Sequence, residues 1–181
     1  TKAVNIALEY GNTVDIPEGY AAFGMFIGSV LGDYQTGYEY GRLSIELSEK
    51  IDDISQKTKA YHVFGTHVNH WRKHVKTDQY YLKKSIEYAY EAGEFQFIGF
   101  AYDGLILSMI ANGININIIK DQIREIREFA TKIKYKLLIN FCLAWDQYFF
   151  NIEGKRINQV TYDENVLTEE QFLHEAQNDP L

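Results

Sequence analysis

The sequence predicts an all-α protein built of antiparallel helix pairs, and three observations carry that expectation. The first is a tract that reads as a complete helix-turn-helix unit. It has an aromatic and small-residue stretch from Tyr20 to Gly32, a turn at Gly32-Asp33-Tyr34, and a second helix from Tyr38 to Leu47. A shorter echo follows 61 residues later, at Ala92-Gly93-Glu94-Phe95. In each, glycine closes one helix in the left-handed conformation, the acid caps the next, and the aromatic folds back on the helix just finished. The second is the scarcity of proline: Pro17 and Pro180 both lie outside the apolar periodic segments, which suits long helices better than a loop-rich β protein. The third is that no segment alternates with the period of a strand. Helix, glycine-acid-aromatic turn, helix is the pattern of tetratricopeptide-like (TPR-like) repeats. The expected architecture is therefore a right-handed TPR-like α-α superhelix of about eight antiparallel helices with a C-terminal extension.

Taken in order, residues 1–10 read as a helix closed by Gly11-Asn12, and Pro17 belongs in the first turn of the next, where its missing N–H is harmless. Gly24, Gly28 and Gly32 then recur every four residues on one helical face, and the following helix adds Gly37 and Gly41. Glycine inside a helix costs about 1 kcal/mol relative to alanine, so these positions predict close backbone approach, at Gly24, Gly28 and Gly41 above all. After the polar break at Asp52-Asp53, a helix capped by Ser55 is expected to run through to His74. Thr77-Asp78 starts the next, with Leu82, Ile86, Ala89 and Gly93 on one stripe. Phe95–Ala111 is apolar around much of its circumference and ends at Asn112-Gly113. The clearest period is Ile116, Ile119, Ile123, Ile126, Ala130 and Ile133, an amphipathic stripe whose candidate cap is Asn115. The last long helix, 135–150, carries Leu138, Phe141, Cys142, Trp145 and Phe149 on one face. A helical-repeat domain is thus expected over 1–151 and an extension over 152–181, where Thr168 to Gln171 fits a capping box opening a short helix through Ala176.

A chain of 181 residues, 46% hydrophobic and 15% aromatic, is long and apolar enough for a real core. Its net charge of −7 is uneven: residues 153–181 hold seven acids against Lys155 and Arg156, a net of −5, leaving −2 for residues 1–152. Neither part offers the basic footprint that a phosphate backbone requires, which excludes nucleic acid from the expected partners. No apolar run is of membrane-spanning length, and Tyr20 to Leu31 is too short. A single cysteine, Cys142, has no internal partner, so a reducing cytoplasm is the expected compartment. The first residue is Thr1, not Met, and the chain ends at Asp179-Pro180-Leu181; both are expected of a piece of a longer polypeptide.

Candidate chemistry is sparse. On one continuous helix, His67, His70 and His74, with His62 nearby, fall at offsets of three and seven residues and so share a face able to ligate a transition metal. No His-Glu-x-x-His pattern accompanies them, and no glutamate occurs between Ala60 and Lys76, so packing and hydrogen bonding are the favoured use. Cys142 lies on an apolar helix face that disfavours a thiolate, and reads as a small core residue rather than a nucleophile. The glycines lack the Gly-x-x-x-x-Gly-Lys-Ser/Thr pattern of a phosphate loop, and kinase catalytic loops are absent. Tyr20, Phe23, Phe26, Tyr34, Tyr38 and Tyr40 offer a ligand groove as one reading, and core packing as the favoured one. No catalytic residue, cofactor-binding residue or metal ligand is assigned.

Longer motifs carry a resemblance. Leu8-Glu-Tyr-Gly-Asn12, Tyr20-Ala-Ala-Phe-Gly24, Leu31-Gly-Asp-Tyr34, Gly37-Tyr-Glu-Tyr-Gly41, His67-Val-Asn-His-Trp-Arg-Lys-His74 and Glu91-Ala-Gly-Glu-Phe95 occur in order. Together with Tyr162-Asp163-Glu164, they make almost the whole chain resemble a helical region of very large bacterial signalling kinases. Those proteins join a Ser/Thr-kinase-like domain, a STAND-type ATPase, this region, a GAF sensor and often a histidine kinase. The resemblance implies a TPR-like connector following the ATPase, with the catalytic motifs outside this chain. The expected function is a non-catalytic scaffold or relay that contacts other domains of its own polypeptide or protein partners, with no cofactor. A free-standing peptide-binding TPR-like protein is the first alternative, and a metal-dependent enzyme built on the His67/His70/His74 face the second.

Overall fold

The computed structural model describes residues 2–154 and His174; the expected capping box at Thr168 and the rest of the extension lie outside the described residues. Among the described residues the structure contains eight α-helices and no strand. These are α1 (Lys2–Tyr10), α2 (Ile16–Ser29), α3 (Tyr34–Ile51), α4 (Ile54–Val63), α5 (Asp78–Ala92), α6 (Phe95–Ala111), α7 (Ile116–Lys132) and α8 (Lys136–Ile152). The chain divides into two compact units, Thr1–Asn115 and Ile116–Leu181.

Within the first unit, α2 packs along α3, α4 along α5, and α5 along α6. The α2–α3 turn forms as its residues predict. Gly32 adopts φ +74°, and the N–H of Asp33 donates to the Ile27 carbonyl at 3.2 Å. The Asp33 carboxylate then accepts from the Thr36 N–H at 3.0 Å to cap α3. The Thr36 hydroxyl first, and this N–H second, hold the Asp33 carboxyl below the usual carboxylate range. The second turn keeps only half of the pattern. Gly93 is left-handed, at φ +71°, but Glu94 makes no side-chain cap, and its Oε1 accepts from Ser55 Oγ at 2.5 Å instead. Ser55 is thereby diverted from the capping role expected of it. Asp53 caps α4 by accepting from Gln56 N–H at 2.9 Å.

The α2–α3 crossing explains most of the glycines. A Cβ on Gly24 would lie 2.6 Å from the Gly37 carbonyl oxygen and 2.9 Å from the Gly41 nitrogen, and one on Gly37 would lie 2.7 Å from the Gly24 oxygen. The two backbones touch, and only hydrogen fits between them. Gly28 corrects the expectation. Its backbone is approached from Gly37, but a Cβ of its own would meet nothing within 4 Å. Around this crossing Val4, Ala7, Ile16 and Tyr20 form a core, with Phe23, Tyr40, Leu43 and Leu47 packed against it. Buried serines sew the helices together through backbone carbonyls: Ser44 Oγ donates to Pro17 O at 2.7 Å, and Ser85 Oγ to Thr58 O at 2.8 Å. Each bond satisfies a hydroxyl that would otherwise be stranded in the interior.

In the second unit, α7 packs on α8 after a short turn. The isoleucine stripe faces inward as its period predicts, with Ile119, Ile123, Ile126 and Ala130 buried, and α8 buries Leu138, Cys142 and Phe149. Arg127 Nη1 pairs with Asp146 Oδ2 at 2.5 Å, and Lys120 Nζ with both oxygens of Glu153 at 3.1 and 3.0 Å.

Candidate functional site

The continuous helix expected from Ser55 to His74 does not form. The α-helical part stops at Val63, one π-helical turn follows over Phe64–Val68, and a 3-10 turn over Asn69–Trp71. A further 3-10 turn, Val75–Thr77, leads into α5. Neither proline nor a left-handed glycine interrupts this stretch, so tertiary contacts hold it. A Cβ on Gly41 of α3 would strike Phe64 Cδ2 at 2.7 Å and Val68 Cγ1 at 2.9 Å. One on Gly104 of α6 would strike Thr66 Oγ1 at 2.7 Å. The wide turn wedges its side chains into gaps left by glycines on the neighbouring helices, and π turns of this kind recur at functional positions.

A buried polar knot closes the segment. Asn69 is 1% exposed and Asp78, in the first turn of α5, 2%. The two N–H bonds of the Asn69 amide are both used. Nδ2 donates to Thr77 Oγ1 at 2.6 Å and to Asp78 Oδ1 at 2.6 Å. Thr77 Oγ1 in turn donates to the His74 carbonyl at 2.8 Å, and the other Asp78 oxygen faces His70 Nδ1 at 3.2 Å. The Asn69 carbonyl accepts the N–H groups of Arg72 and Lys73 at 3.0 and 2.9 Å. From α6, Ser108 Oγ pins the Val75 carbonyl at 3.0 Å. Breaking the Asn69–Asp78 bond would strand two buried polar side chains, so the network favours one geometry.

The histidines take separate partners, although the rings of His62 and His67 lie 6.0 Å apart. His70 points to Asp78, and His74 Nδ1 accepts from Lys76 N–H at 3.1 Å. Among the described residues no group of three or more His, Cys, Asp or Glu side chains is arranged to hold a metal. His62 sits deeper, 8% exposed, stacked on Phe100 at 5.9 Å, edge-on to Phe97 at 5.8 Å, and 3.3 Å from Thr66 Oγ1 through Nδ1. Burial, with a smaller contribution from His67, pushes its pKa down to about 4. The crowding around His67, and then His70, lowers the pKa of His67 too, although that ring reaches solvent.

What the knot presents is an aromatic and basic surface. Trp71, 44% exposed, donates its indole N–H to the His67 carbonyl at 3.0 Å. Its ring stacks on Tyr34, with centroids 4.9 Å apart and planes 14° from parallel, while Tyr34 itself is 41% exposed. The first aromatic of the α2–α3 turn therefore reaches across to the irregular segment instead of folding back on α2. Beside the stack, Arg72, Lys73, His74 and Lys76 are exposed, and Lys73 Nζ lies 5.8 Å from the centre of the Tyr38 ring.

The other candidates resolve into packing. Tyr20 stacks on Tyr40 at 5.9 Å, Phe23 meets the same ring edge-on at 4.8 Å, and Tyr38 packs on Phe64 at 5.5 Å, while Phe26 remains exposed. Cys142 is buried, and burial, then Asp146, pushes its thiol up to about 12, the opposite of what a nucleophile needs. Sequence reasoning singled out the histidines but missed Asn69, Thr77 and Asp78, which do the organising. The available signal was the Asn-His-Trp element followed by Thr-Asp at a helix start. No helix among the described residues is long and apolar enough to cross a membrane. No family model, curated protein or solved structure matches the chain.

Proposed function

We propose that the chain is a non-catalytic helical-repeat module, TPR-like in its superhelix, that serves as a scaffold or relay in a cytoplasmic bacterial multidomain signalling kinase. It works by contact with other domains of that polypeptide or with partner proteins. The observation that supports this reading is how two buried polar side chains, Asn69 and Asp78, are used. Asn69, Thr77, Asp78 and His70 bond to one another, and the effect of that bonding is to hold an irregular segment with Trp71, Tyr34 and four basic residues facing solvent. Side chains committed to one another shape a surface; they do not await a substrate. Helices joined by short turns, packed through backbone contact at Gly24 and Gly37, supply the stiffness that a relay requires.

The test has two arms. Deleting residues 20–150 from the parent polypeptide is expected to abolish its signalling while leaving its nucleotide-binding domains folded. The isolated chain is expected to turn over neither ATP nor ester substrates. Intact signalling after the deletion would reduce the module to a passive spacer. Turnover by the isolated chain that was lost on His70→Ala would instead favour the metal-dependent alternative, as would one equivalent of zinc by elemental analysis.

A further inference from the structure

We propose that the exposed face of the segment between α4 and α5, Trp71 stacked on Tyr34 and flanked by Arg72, Lys73 and Lys76, docks an acidic protein segment that carries an apolar anchor. This rests on the contact-module reading above and names the surface and the chemistry of the partner.

Charge supplies the first argument. The chain carries a net −7, yet it contains no acid between Asp53 and Asp78. Asp78 is buried against Asn69 and His70, so it does not neutralise the surface. Arg72, Lys73 and Lys76 make no ion pair among the described residues, whereas Lys57, Lys59, Lys84, Lys120 and Arg127 each do. Asp33, the sequence neighbour of Tyr34, caps α3 and keeps its negative charge there, one acid against three cations. The result is a basic strip on an acidic molecule, complementary to carboxylates.

Apolar area supplies the second. Trp71 and Tyr34 expose ring surface side by side, and Val30 and Leu31 in the adjoining α2–α3 turn are 63% and 61% exposed. Trp, Tyr and Arg are the residue types on which binding energy concentrates at protein interfaces. The indole N–H is already bonded to His67 O, so the Trp71 face is offered without an unsatisfied donor. Rigidity supplies the third. The knot orders this surface before any partner arrives, so binding does not have to freeze a loop.

The same features disfavour polyanions. Three cations on a molecule of net −7 are too few for a nucleic-acid backbone, whose binding grows with the number of phosphates neutralised. Residues 1–152 still sum to −2 with the strip included, so an anionic bilayer meets no net attraction. A short carboxylate-bearing peptide engages the strip alone.

The test uses the full chain and a fluorescein-labelled peptide of repeating Glu-Glu-Leu-Phe units, followed by anisotropy across a salt series. Saturable binding that weakens with salt is expected. Trp71→Ala should weaken it about tenfold, as for a central aromatic anchor. The double reversal Arg72→Glu/Lys73→Glu, at exposed positions that leave the knot's side chains in place, should weaken it by about tenfold or more. Lys50→Glu, about 24 Å along α3 from Tyr34, should leave it unchanged, and circular dichroism should show each variant folded. No saturable binding by the unsubstituted chain, or equal binding by the charge-reversed variant, would overturn the proposal. So would tighter binding of poly-U RNA or phosphatidylserine vesicles than of the peptide. Any of these failures leaves the deletion test of the parent polypeptide standing, so the two readings fail separately.

Discussion

His62 stays neutral in the folded chain down to about pH 4, because its ring is enclosed by Phe97, Phe100 and His67, whereas an unfolded chain protonates it near 6.5. Between those values the unfolded state binds more protons, so stability must fall as pH drops from about 6.5 toward 4. The full contribution is on the order of 3 kcal/mol. Urea midpoints measured from pH 7 to 5 should decline for the unsubstituted protein and decline less for His62→Phe, and parallel curves would refute this. Cys142 makes a simpler case. With its thiol buried and its pKa raised to about 12, it should resist a disulfide reagent at pH 8 until urea unfolds the chain. Rapid reaction of the native protein would show an accessible thiolate that the geometry forbids. At this scale the sequence was partly legible. Cys142 on its apolar face and Tyr20 as a core ring could be read from the helical pattern, and Asp33 as a cap from the glycine-acid turn. The bond from Ser55 to Glu94, 39 residues away, could not, because local capping preference says nothing of a competing tertiary partner.

Helix packing turns on which backbone atoms approach which, and a four-residue repeat does not reveal that. Gly24 and Gly28 sit on one face of α2, yet only the Cβ direction of Gly24 runs into α3. Gly24→Ala should therefore destabilise by about 1–3 kcal/mol through overpacking. Gly28→Ala should be neutral, or stabilising by up to about 1 kcal/mol through helix propensity. Thermal or urea denaturation of the pair checks this, and equal losses would mean that the crossing is drawn wrongly. The end of α4 teaches the same lesson in the other direction. Residues 55–74 carry a helical pattern with one glycine, Gly65, and no proline, so regular helix was the natural reading. The stretch departs from it because Phe64, Val68 and Thr66 fill gaps at Gly41 and Gly104, on helices 23 and 38 residues distant from Phe64 and Thr66. By contrast, α6 and α7 were legible almost to the residue, since one is apolar all round and the other has an uninterrupted stripe.

For the whole molecule, the all-helical class followed from proline scarcity, glycine turns and the missing strand period, and the described residues bear that class out. The proposed docking surface was less legible because it is assembled from the start of α3 and the irregular segment, which no local pattern joins. The central claim is that this segment is a rigid platform and not a frayed helix end, and amide hydrogen exchange tests it most directly. The N–H groups of Arg72 and Lys73, both bonded to the Asn69 carbonyl, and that of Thr77, bonded to His74, should exchange as slowly as amides inside α5. Asn69→Ala, which leaves Thr77 and Asp78 without their donor, should release all three together while α2 and α3 keep their protection. Exchange of these amides in the unsubstituted protein at the rate of a free peptide would contradict the account.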